Sequence, residues 1–128
     1  MKTQACKVAL GTFSNGLNHR GQVVGYFQNS SGVFHGFLKA DSSFTTVDVP
    51  GAQGTFPYGI NDREEIVGEY QDAAGASHGF MESHGRFTTV DVPGAVGTLI
   101  FGNNDRGDLA GQWLDSTGTY HGFVAFKH

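Results

Sequence analysis

The chain repeats itself every 43 residues. His-Gly-Phe begins at His35, His78 and His121, and the same interval separates Gly-Leu-Asn (16–18), Gly-Ile-Asn (59–61) and Gly-Asn-Asn (102–104). Arg20, Arg63 and Arg106 keep it, as do Gly25, Gly68 and Gly111. A fixed period of this length marks stacked supersecondary units, each too small to bury its own apolar face and completed by its neighbours. Three units fill the 128 residues: 11–53, 54–96 and 97–128, preceded by a segment 1–10.

The middle copy predicts four short strands. GTFPYGIN (54–61) runs into the turn NDRE, and EIVGEY (65–70) runs into QDAAG. SHGFME (77–82) runs into SHGR, and FTTVDV (87–92) alternates Thr and Val until Pro-Gly stops it. Helical periodicity is missing over any ten-residue window. The fold class is therefore all-β, with three four-stranded antiparallel units of the kind that form propeller blades or the thirds of a β-trefoil.

The phrase FTTVDVPGA occurs at 44–52 and 87–95, yet its place in the first copy holds MKTQACKVA. The third copy ends at HGFVAFKH, before its own fourth strand. Segment 1–10 is thus expected to act as a closing strand, with Cys6 packed where Val49 and Val92 stand. Two closures meet this condition. A trefoil closes with three units in one chain, whereas propellers use about four to eight blades, so two chains would make a six-bladed homodimeric ring. Three blades without closure would leave bare sheet edges.

The pattern G-[LIN]-N-x-R-[GE]-x-[VIL]-[VA]-G-x-[YFW], followed by G-x-x-H-G-F and FTTVDVPGA, resembles the bacterial extracellular repeat named HAF. The resemblance implies blade-like units and an extracellular or cell-envelope origin, often in longer chains behind an export signal. It implies no particular activity.

Charge and composition narrow the partners. The net charge is −4 and the eight Lys and Arg residues are scattered, so no basic stripe faces a nucleic acid. Apolar runs fall well short of the ~20 residues of a membrane-spanning helix. The opening MKTQACKVALGTFS is too polar for a signal peptide, which predicts retention in the cell or excision from a longer secreted chain. A lone cysteine excludes an intrachain disulfide and a Cys-based zinc site.

Three sets of residues could carry chemistry. His35, His78 and His121 could meet as a three-imidazole metal site, but their presence in every copy points to a structural hydrogen bond within each sheet. Asn18, Asn61 and Asn104, with Asp62 and Asp105 beside the last two and His19 in the first copy, read as turn residues. Alternatively their oxygens converge at a channel mouth and hold Ca²⁺. Six-bladed propellers with a calcium centre include lactone hydrolases, an analogy of fold alone. Arg20, Arg63 and Arg106 are expected to pair with Asp48 and Asp91 between units.

Residues that differ between copies are the better candidates for binding: Trp113, which replaces Phe27 and Tyr70, and Asn15, Tyr58 and Ile100 of the first strands. Asn-Ser-Ser at 29–31 fits a glycosylation acceptor. Nucleophile elbows, phosphate loops and zinc-protease motifs are missing. The expectation is a non-catalytic module that binds a glycan or peptide and needs no cofactor. A calcium-dependent hydrolase and a monomeric trefoil lectin are the alternatives.

Overall fold

A computed structural model describes residues 11–127. The expected closing strand over 1–10, Cys6 within it, lies outside the described residues. Eleven strands and no helix make up the rest. The first unit holds β1 (Gly11–Leu17), β2 (Val23–Gln28), β3 (Phe34–Ala40) and β4 (Ser43–Val47). The second holds β5 (Gly54–Ile60), β6 (Ile66–Gln71), β7 (Ser77–Ser83) and β8 (Arg86–Val90). The third holds β9 (Gly97–Asn103), β10 (Leu109–Leu114) and β11 (Tyr120–Ala125).

Each unit is its own antiparallel meander, giving sheets of four, four and three strands. Among the described residues every strand pairing lies within a unit. A trefoil barrel needs strands of different units to pair, so this topology weighs against it. The turns follow from local chemistry. Asp72 Oδ1 accepts the N–H groups of Ala74 and Ala76, and Gly75 takes φ 85°, as QDAAG requires. Two left-handed residues, His84 and Gly85, close β7 onto β8 as a two-residue hairpin turn.

The sheets stack in chain order. Strand β5 lies against β2 and β3, and β9 against β6 and β7, so the first strand of each unit covers the middle of the preceding sheet. Ile60 enters a core with Val24, Val47 and Val49 of the first unit and with Ile66 and Phe80 of its own. Glycines permit the close approach. Between sheets, a Cβ on Gly36 would lie 2.7 Å from Pro57 of the next unit; within one sheet, a Cβ on Gly68 would lie 2.1 Å from the Phe56 carbonyl oxygen across the bulge in β5.

The linking phrase works at the same seams. Thr55 and Thr98 are buried, and their hydroxyls accept the N–H groups of Val49 and Val92 at 3.1 Å. Each Val-Pro-Gly segment is thereby tied to the strand that opens the next unit.

Candidate functional site

The strand ends of β1, β5 and β9 carry the Asn row. In each copy the Asn closes the turn into the next strand. Asn18 Oδ1 accepts the backbone N–H of Arg20 and Gln22, both at 3.0 Å. Asn61 does the same for Arg63 and Glu65, and Asn104 for Arg106 and Asp108. The Nδ2 groups then donate to the side chain four residues on: Gln22 at 2.7 Å, Glu65 at 2.7 Å and Asp108 at 3.0 Å. Gln22, Glu65 and Asp108 are themselves buried.

A second donation, from the Nδ2 of Asn18 and of Asn61, crosses the seam. Asn18 donates to the Asn61 carbonyl at 3.0 Å, and Asn61 to the Asn104 carbonyl at 2.8 Å. A parallel row runs beside it, in which His19 N–H donates to Asp62 Oδ1 at 2.8 Å and Asp62 N–H to Asp105 Oδ1 at 2.7 Å. His19 Nδ1 also meets Asp62 Oδ2 at 2.8 Å. That bond holds the Asp62 carboxyl below its ordinary range and lifts the His19 imidazole above its own.

The Asn oxygens proposed as calcium ligands are therefore spent on backbone N–H groups. Among the described residues no group of three or more His, Cys, Asp or Glu side chains is placed to hold a metal ion. Between the strand ends lies an open groove of about 420 Å³, lined by the Asn and Asp rows together with Leu17, His19, Ile60 and Asn103.

The histidines do not meet. Each stays in its own sheet and packs on the aromatic residue opposite: His35 tilted against Phe27, His78 stacked on Tyr70 and His121 stacked on Trp113, with centroids 5.5, 5.1 and 4.4 Å apart. His35 Nδ1 donates to Asp48 at 2.9 Å, and Asn29 Nδ2 donates to its Nε2 at 3.0 Å. His78 lies between Asp91 at 2.7 Å and Asp72 at 2.8 Å. His121 Nε2 bonds Asp115 at 2.8 Å. The bond to Asp72, then that to Asp91, raises the His78 pKa, while the His78 bond lowers that of Asp72. Asp115 is lowered too, by Thr117 first and His121 second.

The expected Arg–Asp pairs do not form. Arg20 reaches Glu64 at 3.3 Å, Arg63 the Asp105 carbonyl at 3.3 Å, and Arg106 the Asp108 carboxylate at 3.1 Å. Sheet register explains the change. Gly36 faces Val47 and Gly79 faces Val90, which sets Asp48 opposite His35 and Asp91 opposite His78. The arginines sit in the first turn, at the other end of each sheet.

The binding candidates divide. Ile100 is fully buried, and its side chain fills the space beside Gly79 of the preceding unit, so it is a seam residue. Its counterparts at the 43-residue interval are Ser14 and Pro57, whereas Asn15 and Tyr58 correspond to Phe101. Tyr58 packs on Phe101 at 5.1 Å and donates its hydroxyl to the buried Glu69 at 2.7 Å. Burial first, and that bond second, push its pKa far up. Asn15 Nδ2 donates to the Pro57 carbonyl at 3.3 Å. Asn29, the glycosylation candidate, has its Oδ1 on the N–H groups of Ser31 and Val33 and its Nδ2 on His35.

Sequence reasoning missed Gln22, Glu65 and Asp108. The signal was available: one position per copy, always an amide or carboxylate, four residues after the Asn. Comparison with protein-family models, curated proteins and solved structures gives no match for this chain.

Proposed function

We propose that this chain is a non-catalytic binding or scaffold module of propeller type, with a glycan or peptide ligand held along the groove at the ends of β1, β5 and β9. One observation carries the reading. The groups a catalytic or metal centre would need, the Asn amides and the His imidazoles, are tied to structural partners repeated at 43-residue spacing, while the groove between the strand ends stays open. Asp105 gives that groove a carboxylate acceptor, and Ile60 gives it an apolar floor. Such a mixture suits sugar hydroxyls or peptide N–H groups set beside an apolar face.

The separate antiparallel meanders, of four, four and three strands, and their stacking support blades, six of them in a ring of two chains. The resemblance of the repeat to HAF supports an extracellular or cell-envelope setting.

Glycan and peptide arrays test the function. Binding that falls at least tenfold in Asp105→Ala, with the unfolding midpoint within a few degrees of the parent, is the expected result. Turnover of an ester or lactone that is abolished by a chelator would overturn it in favour of the hydrolase.

A further inference from the structure

The three units present two internal seams, and several of the devices that build a seam recur, without a partner among the described residues, at the two ends of the stack. On the leading side, Gly16 lies against Gly59, where an added Cβ would be 2.9 Å from the Gly59 Cα. Gly59 lies against Gly102 in the same way, at 3.3 Å. Gly102 has nothing within 4 Å of that position among the described residues. Val24 and Val67 are fully buried beneath the next unit, whereas their counterpart Ala110 is exposed.

The trailing side is complementary. Ile60 inserts against Val24 and is 6% exposed, while its counterpart Leu17 is 68% exposed. The polar row ends in matching fashion. Among the described residues the Asn104 amide donates only to Asp108, and the Asn18 carbonyl accepts only the turn N–H of Gly21. A missing acceptor at one end faces a missing donor at the other.

We propose that the free face of the third unit docks on the first unit of a second copy of this chain, so that two chains close head to tail. This rests on the ring reading above and assigns its interface. Leu17 of one copy takes the place against Ala110 that Ile60 takes against Val24, and the Asn104 amide meets the partner's Asn18 carbonyl. One rung changes character at this seam, because the first unit offers His19 where the other two offer Asp62 and Asp105. A heterologous contact must close or grow without limit, and two copies give six units, within the usual range of propellers.

The test is absolute mass by light scattering behind a sizing column, without ligand, so that its failure stays separate from failure of the binding reading. The parent should show twice the 13.7 kDa chain. Gly102→Val and Leu17→Glu, each at an open position of a single chain, should halve the mass while keeping the β-sheet circular dichroism. A parent at one chain's mass, a mass that climbs with concentration, or two folded variants that remain double would each overturn the proposal. A second measurement does not depend on disrupting anything. With Cys6→Ala, Leu17→Cys and Ala110→Cys in one chain, oxidation should give a covalent two-chain species. Recovery of single chains only would overturn the proposal.

Discussion

The side-chain amide of Asn61 donates to the carbonyl of Asn104, 43 residues away, at 2.8 Å. The same amide satisfies Glu65 within its own turn, and its oxygen satisfies two backbone N–H groups. One buried side chain thus folds a turn and joins two units, so its loss should be felt both locally and across the seam.

Asn61→Ala should destabilise the fold by about 3 kcal/mol, since it strands buried donors and acceptors that water cannot reach. In the Gly102→Val background, which keeps the chain single, Asn104→Ala, whose amide among the described residues bonds only within its own turn, should cost only about 1–2 kcal/mol against the larger loss of Asn61→Ala in the same background. Urea denaturation followed by circular dichroism measures the difference. Equal losses would show that the bond across the seam contributes nothing.

His78 should titrate above its ordinary 6.5 and Asp72 below its ordinary 3.8. A raised imidazole gives stability that is fully present below 6.5 and is lost as pH rises through the folded value. A lowered carboxyl gives stability that is present above 3.8 and is lost as pH falls through its folded value. The contribution of this pair is therefore greatest between about pH 4 and 6.5. NMR titration of the imidazole should place the His78 midpoint above 6.5 and show it falling in Asp72→Asn.

Tyr58 should resist ionisation until the chain unfolds in alkali, because burial and the bond to Glu69 both oppose the phenolate. Absorbance at alkaline pH should show its step together with loss of the sheet signal. Tyr58→Phe should cost about 1–2 kcal/mol by leaving Glu69 one donor short in a buried place.

Gly68→Ala should cost at least about 2 kcal/mol, because its Cβ would strike the Phe56 carbonyl and the strand must shift to admit it. Gly75→Ala, at the left-handed turn position with open space around it, should cost about 1 kcal/mol through backbone conformation alone. Thermal unfolding of the two variants should rank them in that order.

What could be read before the structure was known is what short-range chemistry dictates. The strands expected at 54–61, 65–70, 77–82 and 87–92 fall within two residues of β5 to β8, because alternation and turn glycines are local signals. The fourth strand ends earlier than expected, at Val90, where the Asp91 carboxylate accepts the Gly79 N–H. Partners across a sheet were harder. Arg106 and the Asp91 of the preceding unit attract each other on paper, but the register of β7 and β8 puts His78 opposite Asp91, and each arginine sits in the first turn of its own sheet, away from the acid's end. The role of Glu65 was visible as a recurring polar position but had no evident partner until Asn61 was seen to close onto it. Ile100 varies between copies for reasons of packing: it fills the seam that Pro57 fills one unit earlier.

The measurement that tests the role of the Asn row most directly is the unfolding temperature of Asn61→Asp with and without calcium. The substitution keeps an oxygen for the turn and adds a carboxylate that a cation would prefer. It also removes the donor to Asn104 and sets like charge beside Glu65. A seam role predicts a midpoint lower by about 10 °C in both conditions. A calcium-dependent rise in the variant, larger than in the parent, would contradict it and return the row to the metal.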